Sequence, residues 1–185
     1  TAVTPLQPRH PMALAQAALT AQALAKGRLT LGIGLSHKVV IEGMLGLSYA
    51  APAKTTEDYL EVLLPLLAGE SARIRNSTYS VDIALDVPDA KKPVPVALAA
   101  LGPRMLALAG RYTAGTILWM TGPKTIESHV VPRLGQAAAQ SDRAAPPRVI
   151  AGFPIVLTHD EAAARSAIAK QLSIYGQLPL SLIHI

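Results

Sequence analysis

Residues able to do chemistry are few in this chain, and they stand singly. His37 is the foremost. It closes the run Gly32-Ile33-Gly34-Leu35-Ser36-His37, so a hydroxyl and an imidazole follow a short apolar stretch. Imidazole gains and loses a proton near neutral pH, which makes His37 the best placed group for acid–base work. Gly32 and Gly34 remove side chains where the stretch ends, so a ligand can come close to the backbone there. A tight turn with a surface histidine would look the same. Gly102-Pro103-Arg104 offers backbone donors and a cation at the start of a predicted helix, a combination that suits a phosphate. Ordinary helix punctuation has that composition too. Thr121-Gly122 can donate to the same anion or can simply turn. Trp119 and Met120 end a predicted strand, either as core, the default, or as a wall against a ring system.

The other histidines have duller expectations. His10 precedes Pro11 and is expected to cap the first helix, His129 sits mid-helix, and His159 falls inside a capping box. No two histidines or carboxylates have metal-ligand spacing, so no metal is expected. Neither a Gly-x-Ser-x-Gly elbow nor a phosphate-binding Walker loop occurs. Gly32-x-Gly34 lacks the third glycine of a dinucleotide fingerprint, because His37 stands at that place.

The elements that must position these residues alternate. Thr1 to Thr4 are β-prone and Pro5 ends them. Leu14, Ala17, Ala18, Ala21, Leu24 and Ala25 recur at helical spacing, which predicts a helix over Ala13 to Lys26, stopped by Gly27. Leu29 to Ile33 is a short strand. Val39 to Tyr49 is apolar, broken by Gly43 and Gly46, and resembles neither regular element. Thr55 with Asp58 imitates a helix-start box. Leu60, Leu63, Leu64 and Leu67 give that helix one apolar face; Pro65 should kink or shorten it, and Gly69 ends it. Arg73 to Leu85 is expected to form a small strand or hairpin. Strands are then predicted at Val94–Ala100, Gly115–Met120 and Val149–Leu157, with helices after each. The second of these helices, over Thr125 to Gln140, has a fault at Pro132. The third follows the capping box Thr158-His159-Asp160-Glu161 and reaches about Tyr175. Apolar strands alternating with helices argue for an α/β fold with a parallel sheet and outer helices. Both an open doubly wound sheet and part of an eight-fold barrel satisfy that pattern. In either, ligands sit at the carboxyl ends of the strands, where Val3 to Pro5, Leu35 to Lys38, Ala100 to Arg104 and Met120 to Pro123 fall.

Composition narrows the class. The 185 residues are half hydrophobic and only 16% charged, enough for a sizeable core and unlike a disordered chain. The net charge of +5 comes from scattered lysines and arginines, with no stripe for nucleic acid. A mild positive excess suits a phosphate-bearing small ligand. No apolar run is long enough to cross a bilayer and no signal peptide is visible, so no membrane partner is expected. Cysteine is absent, which excludes disulfides and fits a cytoplasmic setting. The chain starts at Thr1 and stops in Leu180-Ser181-Leu182-Ile183-His184-Ile185, which reads as translated adapter sequence; 180–185 is therefore expected to be a non-native tail on an incomplete domain over 1–179.

Several segments in order resemble the luciferase-like flavin and deazaflavin oxidoreductases, especially the branch that uses coenzyme F420. They are Thr1-Ala2-Val3-Thr4-Pro5 with Arg9-His10-Pro11, Gly27 to Gly34, Val40-Ile41-Glu42-Gly43-Met44, Ala99 to Met105, and Thr116 to Pro123. The resemblance implies a partial (β/α)8 TIM barrel holding about strands three to seven. It implies a cis peptide at Ala2-Val3 behind the ring system, cofactor contacts from Leu35, Ser36 and His37, and phosphate contacts from Gly102, Pro103, Arg104, Thr121 and Gly122. The chain departs from the family at Ala114-Gly115, where relatives often carry an acidic residue before the glycine, and at His37, which is glutamate in some branches.

The implied activity is hydride transfer between coenzyme F420 and a small organic substrate, with His37 holding or relaying a proton. The alternatives are a flavin mononucleotide (FMN)-dependent monooxygenase served by a reductase, and a non-catalytic module binding a phosphorylated ligand. The apolar loop Val39 to Tyr49 is a candidate homodimer contact. A piece of a barrel would expose strand edges, an aggregation hazard, and inactivity of the piece by itself is a further expectation.

Overall fold

The computed structural model describes residues 3–141 and 145–173. Five strands form one sheet: β1 (Thr4–Pro5), β2 (Leu31–Gly34), β5 (Val96–Ala99), β6 (Gly115–Trp119) and β7 (Arg148–Gly152). Their order in space is β1-β2-β5-β6-β7 and every neighbouring pair is parallel. The order never reverses. A doubly wound sheet must reverse at a switch point, whereas right-handed crossovers wound always in one direction put every helix on one face. The architecture is that of a partial barrel.

Register and burial identify the two faces. Leu31, Ile33, Val96, Leu98 and Leu118 alternate onto the helix-covered side and join the main core cluster. There they meet α1 (Pro11–Leu24), α2 (Pro52–Leu67) and α3 (Pro103–Tyr112), which pack side by side. Leu60, Leu63, Leu66 and Leu67 of α2 are buried, each contributing about 1.5–3 kcal/mol. The opposite face carries Gly32, Ala97 and Gly115 in one row, then Ala99, Ile117 and Ile150 in the next. The face is lined by glycine and alanine on β2 and β5 and by the larger Ile117, Arg148 and Ile150 toward β7, with Trp119 at its rim.

Local chemistry explains the element ends. His10 caps α1, its Nδ1 accepting from the Met12 N–H at 3.2 Å, and Pro11 begins the helix as expected. Gly27 adopts φ +78° and its N–H reaches the Gln22 carbonyl. Gln22, fully buried, clasps the amino ends of two strands: Nε2 donates to the Pro93 carbonyl at 2.9 Å, and Oε1 accepts from the Leu29 N–H at 2.8 Å. The expected hairpin is present as β3 (Ala72–Arg75) and β4 (Ser80–Ile83), antiparallel.

Several boundaries differ from the sequence expectations. The helix assigned a start at Thr55-Asp58 begins at Pro52, after Ala51 in a left-handed conformation. Asp58 is drawn instead into tertiary contacts with the hairpin tip, where Ser77 and Thr78 donate to its Oδ2, while Lys54 Nζ lies 2.7 Å from Oδ1. Pro65 is accommodated because the helix stops at Leu67, so little of it lies beyond the missing N–H. The segment Val39–Met44, read as irregular, winds into a wide π-type turn exposing Val39, Met44, Leu45 and Leu47 along the loop. After β6 the helix forms in pieces: α4 (Pro123–Thr125), a second π-type turn (Ile126–Val130) and α5 (Val131–Ala139). The widened turn lies immediately before Pro132, whose ring would crowd a regular helical turn. At α6 (Glu161–Gln171) the cap is Asp160, bonded to the Ala163 N–H, rather than Thr158. No helix among the described residues is long and apolar enough to cross a membrane.

Candidate functional site

Because all five strands of the sheet run parallel, the segments after β1, β2, β5 and β6 share its carboxyl edge. Leu35, Ser36, His37, Gly102, Pro103, Arg104, Thr121 and Gly122 therefore lie along one rim. Val3 borders it, with Cγ1 2.8 Å from where a Cβ on Gly34 would stand. Ala2, and with it the peptide expected to be cis, lies outside the described residues, as does the tail 180–185.

The turn after β2 is held in a costly conformation. Ser36 has φ +59°, a region that residues with a side chain rarely occupy. The Tyr49 hydroxyl donates to the Ser36 carbonyl at 3.2 Å, and burial pushes that phenol's pKa up, which keeps it a donor. The His37 carbonyl accepts from the Val40 and Ile41 N–H groups at 2.9 and 3.0 Å, so the backbone is fixed by the π-type turn. Its imidazole is half-buried and makes no hydrogen bond among the described residues. The histidine is thus anchored through its main chain while its ring is left to act.

The two later loops repeat one design. Gly102 is the extended N-cap of α3 and Gly122 that of α4, and neither helix start has a side-chain cap. The Leu106 N–H returns to the Gly102 carbonyl and the Ile126 N–H to the Gly122 carbonyl. Pro103 and Pro123 have no N–H to give, so Arg104 and Met105 on one start, and Lys124 and Thr125 on the other, present the uncapped donors. A Cβ on either glycine would meet nothing within 4 Å, leaving open space in front of both. Arg104 and Lys124 are exposed. Lys124 was not singled out in the sequence, although the repeat Gly102-Pro103-Arg104 and Gly122-Pro123-Lys124 was there to be read. Thr121 is buried and its hydroxyl donates to the Trp119 carbonyl at 3.4 Å, so it offers the rim a backbone rather than a hydroxyl.

Two side chains depart from their expected places. Trp119, assigned to the core by default, is 50% exposed, its ring lying 3.0 Å from where a Gly152 Cβ would be. Met120 beside it has φ +52° and is pinned by its N–H to the Gly152 carbonyl at 2.9 Å. His129, expected mid-helix, sits in the second π-type turn with Nε2 2.8 Å from the Leu101 carbonyl. No cluster of metal-ligating side chains occurs among the described residues.

Comparison with known proteins agrees with this geometry. The family described as luciferase-like monooxygenase matches residues 1–181. An F420-dependent glucose-6-phosphate dehydrogenase of Beutenbergia cavernae is 37% identical over 147 residues, covering 76% of this chain and 43% of the relative. An F420-dependent secondary alcohol dehydrogenase, solved with an F420–acetone adduct, superposes at TM-score 0.70 and 18% identity, over 81% of this chain and 46% of that one. A riboflavin lyase solved with modified FMN and riboflavin gives 0.72 at 16% identity, over 95% and 47%. At such identities the two structures speak for the fold alone. The chain spans about half the length of the relatives it matches.

Proposed function

We propose, from the premise that the chain belongs to the luciferase-like monooxygenase family, that it supplies the cofactor-binding rim of an F420-dependent oxidoreductase acting on a small organic substrate. One observation carries the reading: two uncapped Gly-Pro-cation helix starts stand on adjacent strands, on the same rim as the His37 turn. The rim fits a flat, anionic cofactor. Space is open in front of Gly102 and Gly122, uncapped N–H groups begin both helical runs, the exposed cations Arg104 and Lys124 stand beside them, and the face below carries glycine and alanine on β2 and β5.

When bound, the deazaflavin supplies two-electron hydride chemistry, accepting or returning a hydride against the substrate carbon. The chain does the rest. Arg104, Lys124 and the N–H groups of Arg104 and Met105 would hold the phosphate of the cofactor, with the dipole of α3 adding to the attraction. Val3, backed by Gly34 and Ala99, and the strained Ser36 turn would border the cofactor on the side of β1 and β2. His37 takes or returns the proton on the substrate heteroatom at its unengaged imidazole.

The anion contacts would serve FMN as well, because it too carries a phosphate on a flat ring system, and the flavin-dependent monooxygenase with a reductase partner is the second reading. His37→Ala should lower turnover by on the order of 100-fold and shift the F420 dissociation constant by less than about threefold. Unchanged turnover removes His37 from the proton transfer. Binding of FMN in preference to F420 moves the function to the second reading.

A further inference from the structure

The structure joins the two Gly-Pro loops through a residue that neither loop contains. His129 Nε2 is 2.8 Å from the Leu101 carbonyl, 28 residues earlier in the chain. Leu101 immediately precedes Gly102, the cap of α3, and His129 belongs to the helical run that starts at Gly122. A carbonyl can only accept, so Nε2 carries the proton and donates. His129 lies in the widened turn Ile126–Val130, and such turns alter the helical register in which the following side chains emerge. Its own carbonyl accepts from Arg133 Nη1 at 3.2 Å, which steadies the turn from below.

We infer that His129 is a positioning residue for cofactor binding: its hydrogen bond fixes the distance between the Gly102 and Gly122 helix starts, so that both close on one anion. The inference rests on the phosphate-binding reading and deepens it. Two half-sites on separate strands gain from simultaneous engagement only if their separation is fixed beforehand. The Leu101 carbonyl sits at the end of β5, where no further ladder partner follows; without His129 the loop would be free to turn that carbonyl toward water and carry Gly102 with it.

The experiment compares His129→Leu, His129→Asn and His129→Gln, using F420 and FMN as probes in fluorescence titrations, beside Arg104→Gln. Glutamine can place a donor near Nε2, and asparagine is too short to reach. Leucine and asparagine should weaken binding roughly threefold to tenfold, the worth of one hydrogen bond, and glutamine should restore it to within about twofold. The asparagine and glutamine variants both keep a polar amide at the site, so their melting temperatures should agree closely and a difference in affinity between them reports positioning rather than stability. Wild-type affinity in the leucine variant, or glutamine no better than asparagine, overturns the inference. If Arg104→Gln weakens binding while every His129 variant binds normally, this inference fails and the phosphate reading stands. If Arg104→Gln is also silent, or the wild type binds neither probe, both fall. Should the leucine variant fail to fold, the asparagine–glutamine contrast decides the matter alone.

Discussion

Replacing Gly34 with alanine tests the account of the rim at its narrowest point. An added Cβ would stand 2.8 Å from Val3 Cγ1 and 2.9 Å from Ala99 Cβ, whereas carbon atoms rest at about 3.5–4.0 Å. The overlap is therefore about 0.6–1.2 Å on each side. Val3 can rotate away. Ala99 cannot, since its Cβ is fixed to the β5 backbone, so β2 and β5 must separate or Gly34 must tilt out of its ladder. Overpacking of this kind costs about 1–3 kcal/mol, and alanine's smaller loss of backbone entropy returns about 0.5–1 kcal/mol. The net is a destabilisation of up to about 2.5 kcal/mol, which for a domain of this size lowers Tm by up to roughly 10 °C. Thermal unfolding followed by circular dichroism reads that change. The control is Gly135→Ala, inside α5 with nothing within 4 Å of the new Cβ, which should gain about 0.5–1 kcal/mol. Because Val3 is displaced, Gly34→Ala should also weaken F420 binding. A variant that melts at or above the wild-type temperature would refute the packing of Val3, Gly34 and Ala99 described above.

Gly115→Ala drives its Cβ into the Arg148 backbone of β7, which has no side-chain freedom to yield. It should cost more than about 3 kcal/mol and abolish soluble expression, or at least lower Tm far more than Gly34→Ala does. Burial pushes the Asp58 carboxyl pKa up, but hydrogen bonds from Lys54, Ser77 and Thr78, with the Lys54 charge, outweigh it and hold the group below its usual range. A depressed folded-state pKa gives stability that is present above the unfolded value, near 4, and is lost as the pH falls through the folded one. Asp58→Asn should thus destabilise the protein by about 1–3 kcal/mol at pH 7, with the gap to wild type narrowing below about pH 4 in urea titrations. Gln22→Leu leaves the Leu29 N–H and the Pro93 carbonyl unpaired near the amino ends of β2 and β5; it should cost about 1–3 kcal/mol and leave cofactor affinity unchanged, since it lies at the opposite end of the strands from the rim.

Much of this was legible in the chain because it rests on local chemistry. Pro11 after His10, the left-handed glycines at 27 and 69, and the Gly-Pro starts at 102 and 122 act within a few residues of themselves. What escaped depends on distant partners. Thr55 and Asp58 have the spacing of a helix start, yet Asp58 is claimed by Ser77 and Thr78 some twenty residues later. The two π-type turns break the 3.6 period on which helix reading relies, so Val39–Met44 looked irregular. Trp119 could be placed only once the helix-covered face of the sheet was known, and the strand order that decides it is not written in any local pattern. The His129 contact to Leu101 likewise spans two elements. The strand ends place the candidate residues along one edge of the sheet, but Lys124, on the second Gly-Pro start, was overlooked in favour of the buried Thr121.

The central claim is that the two Gly-Pro-cation starts hold one anionic cofactor. Fluorescence titration of F420 and of FMN into the wild-type protein, Arg104→Gln and Lys124→Gln tests it directly. The account predicts saturable F420 binding, tighter than FMN, that weakens at least about fivefold in each charge variant and falls with added salt. Affinity that is unchanged when both cations are removed, or no binding of either cofactor by the wild type, would contradict it.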